Sequence, residues 1–123
     1  MSDADASDIS GLLKDILGPL LEDFKYWFAR SVRLLEERQL DFLDPSDRQR
    51  LLAEVKQAQA ELQSAELLYN LSDNKVGVDP LLVTKWHRLL MRCAEVGYRY
   101  RQLNPNADIA RPDAPPSLDS NPQ

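Results

Sequence analysis

Apolar residues recur at spacings of three and four in three stretches of the chain, and no stretch alternates apolar with polar as a half-buried strand does. In the first stretch Leu20, Leu21, Phe24, Trp27, Phe28, Ser31, Leu34 and Leu35 fall within about 140° of a helical wheel. Glu22, Lys25, Arg30, Arg33, Glu36 and Glu37 fall outside that arc, so one face is expected to be buried. The periodicity starts near Ile9, after Ser7-Asp8, and is interrupted at Gly18-Pro19. Proline lacks the N–H that would bond to residue 15, so the pattern predicts a helix over about 9–40 with a kink at Gly18-Pro19. A separate short helix over 9–17 is the other way to accommodate the break.

The second stretch opens with Asp44-Pro45-Ser46-Asp47. Asp44 can accept from the free N–H groups of a helix start, Pro45 suits its first position, and Asp47 complements its positive end. Leu51, Leu52, Val55, Ala58, Leu62, Ala65 and Tyr69 follow at helical spacing until Ser72-Asp73-Asn74, a polar turn with Gly77 behind it. A helix over 45–71, roughly 40 Å long, is predicted. The third stretch repeats the device with Asp79-Pro80, and Val78 and Val83 are spaced as a hydrophobic staple. Its apolar stripe runs through Leu82, Val83, Trp86, Leu89, Leu90, Cys93, Val96, Gly97 and Tyr100, and Asn104-Pro105 ends it, giving a helix over 80–103. Short connections make neighbouring helices antiparallel, so the predicted fold is an all-α, up-down-up three-helix bundle. The pair formed by helices 2 and 3 is expected to be its best-defined part, with Gly97 permitting close approach.

Outside these stretches, residues 1–8 are small and acidic, and residues 104–123 hold five of the eight prolines; both read as disordered tails. The tails also carry the whole net charge of −5, which leaves residues 9–103 neutral. One domain is expected from 123 residues, and nucleic-acid binding is not expected from an acidic chain. Cys93 is the only cysteine, so a disulfide framework is excluded, and with the lone His87 it cannot make a structural zinc site. The lone thiol fits a reducing compartment, and with no export signal or membrane-length apolar run the chain reads as soluble or peripheral. The Asn70-Leu71-Ser72 sequon is therefore read as accidental.

One charge asymmetry stands out. Lys85, Arg88, Arg92 and Arg99 lie within about 60° on the wheel beside the apolar stripe of helix 3, and Glu95 is the only acid over 80–103. As a functional surface this is a docking stripe for an acidic partner or membrane surface. As a structural feature it is a salt-bridged flank, with Glu66 opposite Lys85, Glu61 opposite Arg88 or Arg92, and Glu54 opposite Arg99. Four of the nine aromatics crowd into Phe24, Tyr26, Trp27 and Phe28. Phase assigns Phe24, Trp27 and Phe28 to the core and leaves Tyr26 outside as a candidate contact residue. Leu40, Phe42, Leu43, Leu67, Leu68 and Leu71 fall off the main stripes and are expected to line one end of the bundle or form a self-association patch.

Catalytic chemistry has no foothold in the pattern. His87 has no carboxylate or hydroxyl nucleophile beside it in sequence, and Cys93 lies mid-stripe as a small buried hydrophobe. Adjacent pairs such as Glu22-Asp23 and Glu36-Glu37 splay around a helix rather than converge. Neither E-x-x-H, nor H-x-x-x-H, nor a glycine-rich phosphate loop occurs, so no catalytic, cofactor or metal site is expected. Pro112-Asp-Ala-Pro115-Pro116 is either an extended recognition segment or a plain tail.

The run GPLLEDFKYWFARSVRLLEE, with the later LLVTKWHRLLMRCAEVGYRYR, resembles a set of small uncharacterised cyanobacterial proteins of unknown function, some of them thylakoid-associated. The likeness is clearest over 11–37 and extends to 80–101. It implies a cyanobacterial cell and peripheral contact with the photosynthetic membrane, and it brings no catalytic residues. The expected function is that of a non-enzymatic, cytoplasmic helical interaction protein, docking a protein partner or acidic surface through Lys85, Arg88, Arg92, Arg99 and Tyr26. The alternative is a self-assembling helical module, a homodimer for instance, whose charges hold only its own helices.

Overall fold

The structure of the chain, a computed structural model, describes residues 3–72 and 78–106, with side chains in the first helix from Asp15 onward. These residues form three α-helices, α1 Asp3–Glu37, α2 Pro45–Leu71 and α3 Pro80–Leu103, with no strand among them. The all-α class and the bounds of α2 and α3 agree with the pattern of the sequence. Both starts are built as the Asp-Pro pairs predict. The Asp44 carboxylate accepts from the Ser46 N–H at 3.2 Å and from the Ser46 hydroxyl, while Asp79 Oδ1 accepts from the Leu81 N–H at 2.9 Å. Val78 and Val83 both pack against the core.

The first helix differs from expectation at both ends. It starts at Asp3, ahead of the expected start near Ile9. Pro19 lies inside α1, which continues through it as one helix. At the other end α1 stops at Glu37, short of residue 40. Its last turn contains no basic residue, and Arg48 of α2 meets the need instead: Nε donates to the Leu35 carbonyl at 2.7 Å and Nη2 to the Arg38 carbonyl at 2.9 Å. Leu40, just past the helix, turns inward and is buried. Of the expected Pro-rich tail, Asn104–Asn106 form a cap and turn, and residues 107–123 lie outside the described residues, as does the expected turn over 73–77.

Cross-helix contacts give the directions of the helices. Lys25 meets Glu66 at 3.2 Å and Glu36 meets Lys56 at 2.7 Å, so α1 and α2 run in opposite senses. Glu61 meets Lys85 and Glu54 meets Arg92, so α2 and α3 do the same. Between α1 and α3 the order is parallel: Phe24 contacts Trp86, and Leu34 sits beside Gly97. The most extensive helix pair is α1 with α2, not α2 with α3, whose backbones approach least. Long side chains span that gap.

Trp86 is fully buried and shares one core cluster with Phe24, Phe28, Leu21, Leu35 and Val55. Phe24 stacks on Phe28 at 5.7 Å and meets Trp86 edge-on at 5.5 Å. Trp27 is not part of that cluster, contrary to its wheel assignment. It lies at the margin of the apolar arc, together with Leu20 and Leu34, and all three are half-buried. The expected end cluster is divided as well. Leu40, Phe42 and Leu43 close the core at the α1–α2 connection, whereas Leu67, Leu68 and Leu71 are exposed at the far end of α2.

Two stability changes follow. Trp86→Ala should lower unfolding free energy by about 3–5 kcal/mol, as large buried aromatics do, while Trp27→Ala costs about 1 kcal/mol; comparable losses in urea melts would contradict this core. Gly97→Ala should be neutral or stabilising by up to about 1 kcal/mol, through helix propensity. The added Cβ would meet the flexible end of Arg101 at 3.3 Å and Leu34 at an ordinary 3.7 Å, so the close approach does not require glycine. A clear loss on thermal melting would show otherwise.

Candidate functional site

Glu54 and Glu61 are seven residues apart on α2, and Lys85 and Arg92 are seven apart on α3. Two helical turns separate each pair, so both acids share one face and both cations share the facing one. Lys85 Nζ reaches Glu61 Oε2 at 2.9 Å, and Arg92 grips Glu54 with two bonds of 2.7 and 3.1 Å. Two of the four candidate cations of α3 are thereby engaged within the fold. Their partners are displaced from expectation by about one to two turns: Lys85 pairs with Glu61 and not Glu66, and Glu54 takes Arg92 and not Arg99. Glu66 has turned to Lys25 of α1.

The remaining two differ from each other. The Arg99 guanidinium lies 4.7 Å from the Phe42 ring centroid, a cation–π contact onto the α1–α2 connection. Arg88 sits one turn from both Lys85 and Arg92, is exposed, and forms no ion pair among the described residues. Neither Gln57 nor Ala58, between the two acids on α2, offers it a carboxylate.

Glu61 does more than meet a lysine. Its Oε1 accepts the indole N–H of Trp86 at 3.1 Å, and Gln57 donates to Oε2 at 3.3 Å. Burial pushes this carboxyl up, but the hydrogen bonds from Lys85, Trp86 and Gln57 outweigh it and hold the group below the usual glutamate range. The Arg92 hydrogen bond does the same for Glu54, against a smaller opposing effect of burial. Sequence reasoning missed the Trp86–Glu61 bond. The matched seven-residue spacings were its available signal.

Tyr26 belongs to another surface. It is half-buried on α1, packs edge-on against Trp27 at 5.1 Å, and accepts from Arg30 Nη1 at 3.4 Å. The basic flank of α3 faces α2, so the fold does not bring Tyr26 together with Lys85, Arg88, Arg92 and Arg99. Cys93 is buried, its thiol pushed up chiefly by burial, with Ser31 beside it. His87 is exposed. Among the described residues no group of three or more His, Cys, Asp or Glu side chains could hold a metal ion, and no helix is long and apolar enough to cross a membrane.

The chain belongs to the family described as protein of unknown function (DUF2605), whose model matches residues 7–102. That span covers all but the ends of α1 and α3 and takes in both runs that carried the resemblance. No curated protein and no solved structure matches the chain.

Titration tests the carboxylate pairings. Glu54 and Glu61 ionise more readily folded than unfolded, so each adds stability above the unfolded value of about 4.3 and loses it as pH falls through that value toward the folded one. Urea midpoints should be flat from neutrality to about pH 5 and then fall, and a Glu54→Gln, Glu61→Gln variant should show a shallower fall. Equal slopes for the two proteins would contradict the pairing.

Proposed function

We propose that this DUF2605 chain is a non-enzymatic helical interaction protein that binds another protein through the leucine-bearing end of its three helices. One observation carries the reading. Leu67, Leu68 and Leu71 of α2, Leu81 at the start of α3 and Ile16 of α1 are each more than half exposed, Leu81 at 78% and Leu71 at 74%. They stand at one end of the fold, where Gly18 of α1 lies beside the Tyr69 hydroxyl near the close of α2. Apolar side chains grouped in this way mark interaction surfaces. Asp15 and Asp79, both exposed near that end, would repel anionic lipid headgroups, which favours a protein partner.

The narrower form, docking of an acidic partner through Lys85, Arg88, Arg92, Arg99 and Tyr26, is supported by Arg88 alone, because Glu61, Glu54 and the Phe42 ring occupy the other three cations. The resemblance over 11–37 and 80–101 supports a cyanobacterial setting on the cytoplasmic side of the thylakoid membrane. On this reading the membrane contact is made to a protein there.

The protein should be monomeric by light scattering and should sediment with washed thylakoid membranes in low and high salt alike, since apolar contacts are not screened. It should not sediment with protein-free anionic vesicles. Leu67→Ser, Leu68→Ser and Leu71→Ser together should abolish sedimentation without loss of helicity. Release by salt would favour the basic flank, and a salt-resistant dimer would favour self-assembly; either overturns the leucine-mediated protein contact with the membrane.

A further inference from the structure

Leu51, Val55, Ala58, Leu62 and Tyr69 form the buried face of α2. Two residues on from each, about 200° round the helix, stand Ala53, Gln57, Ala60, Ser64 and Leu71, all exposed. Leu67 completes this outer row, whose members follow at alternating spacings of four and three, the repeat along which one helix seats another. No exposed residue from Gln57 to Leu71 carries a charge. The acids within that span, Glu61 and Glu66, are half-buried and held by Lys85 with Trp86 and by Lys25. At the Ala53 end a cavity of 620 Å³ opens beside the row, with Leu35, Pro45, Leu52 and Ala53 in its lining. Its charged lining is engaged within the fold: Glu36 meets Lys56 at 2.7 Å, and Arg48 donates to the Leu35 and Arg38 carbonyls. At the other end stand the exposed Leu67, Leu68 and Leu71.

We propose that this outer row seats one α-helix of the protein partner, an amphipathic helix whose contact face is uncharged. The inference rests on the leucine-mediated contact proposed above and extends it along α2. Charge is the first argument. Interface centres are depleted of charged residues, and a charge on the partner's contact face would find no free counter-charge here. Glu54, Glu61, Glu66 and Lys56, beside the row, are each paired with α1 or α3. Taking such a charge out of water would go uncompensated. The matching face is apolar or neutral polar, with the partner's own charges outside the contact.

Shape is the second. Ala53 and Leu67 are fourteen residues apart on one face, roughly 21 Å along the axis. A helix laid along α2 spans that length in about four turns. One of its apolar side chains enters the cavity beside Ala53, and others meet Leu67 and Leu71. Between these anchors Ala60 and Ser64 are small, so a second helix can come close. The polar members of the face argue against lipid as the occupant. Hydrocarbon would desolvate the amides of Gln57 and Gln63 and the Ser64 hydroxyl and return no hydrogen bond, whereas amide or hydroxyl side chains on a helix supply one.

Sedimentation of the full chain with washed thylakoid membranes tests the seat when opposite charges are placed in the middle of the row. Ala60→Lys and Ala60→Glu put good helix formers at an exposed position, so helicity by circular dichroism should be unchanged. Each should weaken apparent affinity at least about tenfold, whichever the sign. Ser64→Lys and Ser64→Glu repeat the test one turn on and decide it should a variant at position 60 lose helicity. If Leu67→Ser, Leu68→Ser and Leu71→Ser together release the protein and neither charge does, the contact is confined to the leucine end; the helix seat is then overturned and the leucine reading stands. Release by one sign of charge alone would overturn the uncharged face. Release by Glu95→Lys as well, at an exposed position of α3, would overturn the placement on α2. Undiminished sedimentation of the triple leucine variant would remove the leucine reading and this one with it. Concentration-dependent association of the chain alone, abolished by the same charges, would make a second copy the occupant and overturn the proposal.

Discussion

Trp86 is the point at which all three helices meet. Its ring is wholly buried on α3 and meets Phe24 of α1 edge-on, while its one polar atom donates to Glu61 of α2. A buried indole must both fill space and find an acceptor, and the two demands fix two neighbours at once. Phe24 sets the height of α1 against α3, and Glu61 sets the height of α2. Once Glu61 is placed, Lys85 falls on its other oxygen, and two turns away Arg92 falls on Glu54. The salt bridges follow the indole rather than leading it, since exposed pairs are individually worth only about 0–1 kcal/mol.

This arrangement explains why the least intimate helix pair carries the most regular ladder of charges. The backbones of α2 and α3 approach each other less than either approaches α1, and the space between them is bridged by long side chains. A basic flank that looks like a docking stripe along one helix stays at the surface, but two of its cations are paired across to the second helix and a third lies on the Phe42 ring. At the far end of the same helices Leu67, Leu68, Leu71 and Leu81 are exposed. The proposed contact is therefore placed on the apolar surface at that end and not on the charge of α3.

Helix starts were legible wherever a local chemical signal marked them. Asp44-Pro45 and Asp79-Pro80 gave α2 and α3 their bounds, because capping depends on residues within one turn. At α1 no Asp-Pro pair marks the start, and its end is completed by Arg48 from another helix, which no local pattern can report. Trp27 shows a second limit. A wheel gives the direction of a side chain but not the exact facing of the groove, so positions at one margin of the arc, Leu20, Trp27 and Leu34, came out half-buried, while Leu21 at the other margin is buried. The pairing of acids and cations was legible in kind but not in register, because the height of α2 against α3 is set by Trp86 and not by the connection.

The decisive measurement is the coupling between Trp86 and Glu61, read by urea unfolding of Trp86→Phe, Glu61→Ala and the double variant. Phenylalanine keeps most of the ring and removes the N–H, so the cycle isolates the bond that places α2 against α3. The two changes should be non-additive by about 0.5–3 kcal/mol, the range for residues in direct contact. Additivity to within about 0.3 kcal/mol would contradict the account, leaving Trp86 a space-filling side chain and the charges of α3 to set the register themselves.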